Sequence, residues 1–431
     1  MKTRTRLICV AITLILLAAT SGTTSAQNKI SLNLWMHIHD PRIPIDKDNI
    51  AKFMKDNPNV DVQYTTINAN DFDAKLNTAL ASGQGPDVFN QWTAYTGQFY
   101  KAGALAPVDP VAFGVKSVDD IYALYGDAGK ALLAGATFNK QLYGIPTELS
   151  IYACYANNDL FKAAGLDPVK DFPATWEDMV TVATKLTIRD ANGVPTQRGF
   201  DFEWPAGFLY LTFEPMVHQL GGQMVDQDTL TAHLDTPEVK QVMKYWIDWA
   251  KTLKLGGPQY TASRDAFLAK QLAIECTMGN WGVPGIEKAG IKWSVHPVPR
   301  WKNGKNDNGF GIYAYFLMVS ANASADKQAA AWKLTSYLTS TPDRAFLEAG
   351  LFQPRVSFTT TDKFKADPVM PLFLSEMNKS FYPPLVPGFS ESGDALGRAR
   401  DRILNGEDMD TVLKDAETEV TDILQKAGKT S

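Results

Sequence analysis

The chain has 431 residues, 45% of them hydrophobic and 21% charged, with a formal charge of −5. An acidic balance makes nucleic acid and anionic lipid poor partners. The length exceeds one typical hydrophobic core, so two or more lobes are expected.

In chain order, MKTRTRLICVAITLILLAATSGTTSA comes first, with Lys2, Arg4 and Arg6 ahead of an apolar run from Leu7 to Ala19 and small residues up to Ala26. That is the layout of a secretory signal, and its core is shorter than the roughly 20 apolar residues a membrane span needs. Cleavage is placed after Ala26, with Ala19 and Ser21 as other ends. Cys9 lies inside the apolar run, so it cannot become the lipid-bearing first residue of a mature lipoprotein. Losing Lys2, Arg4 and Arg6 takes the charge from −5 to −8. Cys154 and Cys276 remain in the mature chain, and either a bridge or two buried thiols fits their strand-like surroundings.

KISLNLWM alternates, with Ile30, Leu32 and Leu34 on one side, and a helix carrying Ile50, Phe53 and Met54 follows, stopped by Asn57-Pro58. NVDVQYTT alternates again, Phe72, Leu76, Ala79 and Leu80 share a helical face, and PDVFN begins a third strand. This βαβαβ order predicts an open parallel sheet with helices on both faces, and ligands in such sheets sit beyond the carboxyl ends of the strands. YGIPTELSIYACYANNDLF then runs almost unbroken apolar, save for Glu148. Thr175 is the expected cap of the helix in FPATWEDMVTVATKL. RGFDFEW reads as a short strand, and TPEVKQVMKYWIDWAKTL as a strong helix whose Trp246 belongs to the core. KQLAIECTMGNW and GFGIYAYFLMVS are strands of buried type, and the chain closes on helices.

These pieces together resemble the carbohydrate-type extracellular solute-binding proteins of ABC importers, of the maltose-binding kind. The resemblance is carried by FDAKLNTALASGQGPDVFN with GALAPVD, by YGIPTELSIYACYANNDLFKAAGLD with PATWEDM, by Gly221-Gly222 before the TPEVKQVM helix, and by LAIECTMGNW. It covers nearly the whole mature chain. Asn158 and Cys154 depart from the family's usual residues. The resemblance implies a two-lobed α/β fold, each lobe an open, mostly parallel sheet flanked by helices, joined by hinge strands. Crossings fall near 146–150, 309–314 and 352–355, so the lobes are 27–147 with 313–350 and 148–310 with 355–431. It also implies a periplasmic monomer without cofactor that binds a carbohydrate between its lobes and delivers it to membrane permease subunits.

A sugar offers directed hydroxyls and patches of C–H surface, which suit flat aromatics set among carboxylates, amides and Arg. Glu148 on the first crossing is expected to face the cleft and accept from solute hydroxyls. Trp281 is the stacking candidate, where the family places such a Trp. Trp204, with Asp201 and Glu203, resembles a cleft loop of the second lobe. His37, His39, Asp40, Asn90, Gln91 and Trp92 stand at strand ends of the first lobe. Arg355 follows the third crossing, and Phe389, with Ser390 and Glu391, lies where the family reaches back to its solute.

The H-x-H spacing of His37 and His39 can begin a metal site, but no further ligands stand at a supporting spacing, so no metal is expected. A non-sugar solute such as a polyol, a glycerol phosphate or a cation is the alternative. Phosphate would want Arg, Lys or a helix N-terminus aimed inward, whereas the candidate positions are rich in acids and aromatics, which favours neutral polyhydroxy solutes. Glu148 with Asp201 or Glu203 could also imitate the two carboxylates of a glycoside hydrolase. No G-x-S-x-G, H-E-x-x-H or P-loop pattern occurs, and the chain is not read as an enzyme.

Overall fold

The computed structural model of the protein describes residues 29–126, 129–367 and 369–429. The signal-like segment 1–26, its cleavage position and Cys9 lie outside the described residues.

Alternation decides the first strand, Ile30–His37: Leu32, Leu34 and Met36 are fully buried, while Ser31 and Asn33 face out. The helix Ile43–Asp56 begins with Pro at its start, buries Ile45, Ile50 and Phe53, and ends at Asn57. The first sheet runs in the order Val60–Ile67, Ile30–His37, Val88–Trp92, Tyr313–Val319, Ile145–Ser150. The second runs Trp293–His296, Cys154–Asn157, Leu272–Glu275, Pro195–Phe200, Ile188–Arg189. Thr175 and Thr236 cap the helices Trp176–Leu186 and Pro237–Lys251 by accepting from Asp178 N–H and Val239 N–H, each satisfying one of the orphan donors at a helix start. Trp246, on the inner face of the second of these helices, is wholly buried.

The pairing is mixed rather than mostly parallel. Ile30–His37 is parallel to both its neighbours, but Tyr313–Val319 is antiparallel to both of its own. In the second sheet only Leu272–Glu275 and Pro195–Phe200 run parallel. The reason is connectivity: a strand that arrives from the other lobe enters from the cleft edge, opposite to strands fed by a crossover helix. Antiparallel pairing of Ile274 with Ala156 and Glu275 with Tyr155 brings Cys276 opposite Cys154, and their sulfurs are bonded. The bridge, one of the two alternatives the sequence left open, is therefore the one present.

Three stretches lie side by side where the chain passes between the sheets. Ser150 and Leu149 pair with Tyr313 and Ala314, and Leu149 N–H donates to Phe352 O at 2.7 Å. Both sheets turn toward this junction the edge carrying the carboxyl ends of their parallel strands. His37 and Trp92 stand on the first edge, and the residues following Phe200 and Glu275 on the second.

Candidate ligand-binding cleft

On the first-lobe side the chain turns sharply after His37, and the 3-10 turn Asp40–Arg42 directs Arg42 back under the strand end. Its guanidinium pairs with Glu148 at 3.1 Å and Asp46 at 3.3 Å and donates to His37 O. Tyr64 hydroxyl donates to Asp46 at 2.7 Å. Glu148 is 5% exposed, and burial pushes its carboxyl up to about 7, with Arg42 pulling the other way. Burial, then the nearby Arg42, lowers the His37 pKa well below that of a free imidazole, so the ring is neutral. It stacks on Tyr315 at 4.0 Å and meets Asn90 Nδ2 at 2.6 Å, while its backbone N–H donates to Asn90 Oδ1. Glu148 thus holds the cleft floor together through Arg42.

Next to this floor, Trp92 and Tyr95 are half-buried at the end of the third strand, with Tyr313 beside them on the returning strand. Trp92 meets Tyr95, Tyr313 and Phe389 edge-on at 5.7, 6.3 and 5.7 Å. Gln91 is buried, donating to Asp73 at 2.8 Å and accepting from Trp92 N–H. Asp73 is half-buried and accepts from Gln91, with Tyr95 and Trp92 close by, and burial raises its pKa. Burial raises the Tyr95 hydroxyl above its ordinary pKa, with the Asp73 charge adding to it.

On the second-lobe side Arg264 is the centre. Its guanidinium lies over the rings of Phe208 and Trp281 at 4.5 and 5.1 Å, stands 3.7 Å from Glu203, and donates to Thr277 O. The Arg264 side chain is 23% exposed. Trp281 Nε1 donates to Ser150 Oγ on the first crossing at 2.8 Å, so this half-buried indole also ties the second lobe to the junction. Burial raises Glu203, and burial with the neighbouring Glu203 charge pushes Glu275 up to about 7.

Of the sequence candidates, the structure leaves Trp92 and Trp281 half-buried at the cleft and buries Glu148, His37, Glu203 and Phe389 just beneath it, with Asn90 and Gln91 as supports; Glu148, expected to accept from solute hydroxyls, is instead taken up by Arg42. The structure does not bring the others there. Asp201 is 0% exposed; its carboxylate is taken by Arg198, Trp204 Nε1, Gly257 N–H and Phe202 N–H. Trp204 is packed on Phe202 and Trp246 in the second core, beneath Arg400. His39 turns toward Ala349 O at 2.8 Å, and Asp40 is exposed at the start of its turn. Arg355 donates to Thr339 and lies over Tyr125. Among the described residues no group of three His, Cys, Asp or Glu side chains could hold a metal ion.

Sequence reasoning missed Arg264, Tyr95, Tyr313, Phe208 and Asp73. Tyr313 and Tyr315 were findable, since alternation puts both on one face of their strand. Arg264 gave no signal, being one arginine at the start of a six-residue helix.

Two α/β lobes linked by hydrogen-bonded crossings, with aromatic and charged side chains gathered where their strand ends meet, define a bilobal binding protein. The chain belongs to the bacterial extracellular solute-binding protein family, whose model matches residues 42–345. It is 20% identical over 398 residues to a maltotriose-binding protein of Pyrococcus abyssi, covering 91% of this chain and 82% of that one. Its fold is shared with an ABC substrate-binding protein from Listeria monocytogenes in complex with cycloalternan: TM-score 0.77, 21% identity, 91% of this chain and 98% of that one. A solute-binding protein from Thermotoga lettingae bound with alpha-D-tagatose superposes with TM-score 0.76 at 21% identity, over 92% of this chain and 100% of that one.

Proposed function

We propose that this protein is the exported solute-binding component of an ABC importer, and that it captures a sugar or oligosaccharide between its lobes for delivery to a membrane permease. The observation that carries the reading is the composition of the cleft. Half-buried Trp92, Tyr95, Tyr313, Phe208 and Trp281 offer ring surface for C–H patches, and Asp73 and Arg264 stand among them to exchange hydrogen bonds with hydroxyls. Walls come from both lobes, so a solute is fully held only when the lobes are together, and binding favours closure. A permease that recognises the closed arrangement can then sense occupancy. The relatives named above that carry a saccharide in their names support the class of solute.

The segment 1–26 fits export to the periplasm without lipidation, and the chain acts as a monomer. Capture rather than cleavage suits Glu148, whose carboxylate is already tied to Arg42. The test is a melting-temperature screen of the mature chain across mono- and oligosaccharides, followed by product analysis. A thermal shift without turnover is the expected result; released sugar products would replace the receptor with a glycoside-cleaving enzyme.

A further inference from the structure

The reading of the cleft as a saccharide site leaves its charge balance unexplained. Two cations stand there, Arg42 and Arg264, and both are committed: Arg42 to Asp46 and Glu148, Arg264 to Thr277 O beside Glu203. Asp73 shares neither. It is half-buried, its partners Gln91, Tyr95 and Trp92 are all neutral, and burial raises its pKa with no cation to bring it back. One turn further along the same helix face, Asn77 Oδ1 is an acceptor shut off from solvent with no donor. Acceptors therefore outnumber donors on this wall.

The rings beside Asp73 have a particular arrangement. Tyr95, Tyr313 and Phe389 stand at 70°, 84° and 80° to the plane of Trp92. Rings set nearly perpendicular make a corner and not a flat platform. A corner of π-faces beside a carboxylate suits a compact organic cation, attracted by the ring quadrupoles and by the charge at once. A metal ion is a poorer fit, because it needs a shell of oxygen ligands that aromatic walls cannot supply. An anionic solute would be repelled by Asp73 with no cation beside it. Phe389, on the C-terminal helix, is buried between Tyr210 and Trp92, so the open ring surface is that of Trp92, Tyr95 and Tyr313.

We propose that the solute is a saccharide bearing a protonated amine, and that the amine sits in the corner of Trp92, Tyr95 and Tyr313 against Asp73. This rests on the saccharide reading above and narrows it from polyhydroxy solutes in general to cationic ones.

Matched pairs test it by isothermal titration: glucose with glucosamine, galactose with galactosamine, mannose with mannosamine, and cellobiose with its fully deacetylated diamino counterpart, chitobiose. Choline serves as a cation without a sugar. In at least one pair the amino member should bind tenfold or more tighter than its neutral partner. The ratio should shrink as salt rises from about 20 to about 500 mM, and Asp73→Asn should cut it below threefold. Neutral members binding as tightly as, or tighter than, amino members would overturn the proposal while leaving the saccharide reading intact. Binding of choline alone, lost in Asp73→Asn, would support the cation corner and sink the saccharide reading. No binding by any amino sugar or by choline would overturn the proposal.

Discussion

On the first-lobe side of the cleft Arg42 holds two carboxylates, Asp46 at 3.3 Å and Glu148 at 3.1 Å. On the second-lobe side Arg264 approaches one, Glu203 at 3.7 Å, and spends its other donors on the Thr277 carbonyl. Arg42 is almost sealed, whereas about a quarter of the Arg264 side chain meets solvent. A guanidinium closed in with two acids is a fixed part of the floor: moving it strands two buried charges. One lying between two ring faces, with part of its surface open, can turn toward a guest at small cost. The two sides use similar residues for different ends, the first for rigidity and the second for contact.

The sharpest way to break this contrast is to remove each cation. Arg42→Ala should lower unfolding stability by about 3–5 kcal/mol, because Asp46 and Glu148 are left buried without a counter-charge; urea denaturation measures it. Arg264→Ala should cost less than half as much stability and weaken saccharide binding tenfold or more. Equal stability losses would erase the distinction between the two sides.

A second pair sets core against cleft. Trp204→Ala should destabilise by about 3–5 kcal/mol, the range for emptying a buried aromatic site. Trp92→Ala should leave most of the stability and lose at least about 1 kcal/mol of binding, the worth of an aromatic contact. Trp281→Ala should cost a similar amount of binding, read as an increased Kd. An unchanged Kd in either would remove that ring from the site.

The smallest effect concerns pH. Glu148 and Glu275 titrate at about 7 in the folded chain, above the ordinary 4.5. Between those values the unfolded chain has released protons that the folded chain retains. Stability from these groups is therefore fully present below pH 4.5, is lost as pH rises toward 7, and is flat beyond. The melting temperature contributed by them should fall from pH 5 to pH 8, and Glu275→Gln should reduce the fall. A fall of the same size in that variant would show that Glu275 is already ionised in the folded state.

Much of the fold was legible because it rests on local patterns: alternation in KISLNLWM, the cap at Thr175, and the apolar stripe through Val239, Val242 and Trp246. The mixed strand directions were not, since direction depends on which lobe a strand arrives from. At the site, sequence picked out strand ends well but could not say which way a side chain turns. Trp204 and Trp281 both follow a strand of the second sheet, yet one enters the core and the other reaches Ser150. Asp73 carries no mark in the pattern of its helix, and only the approach of Gln91, Tyr95 and Trp92 makes it a wall of the cleft.

Hydrogen–deuterium exchange on the mature chain, with and without a saccharide that raises its melting temperature, tests the central claim most directly. Solute held between the lobes should slow exchange together at 92–96, 203–213, 263–267 and 389–393, stretches drawn from both sides of the cleft. Protection confined to one lobe, or spread evenly over the chain with none at these stretches, would contradict it.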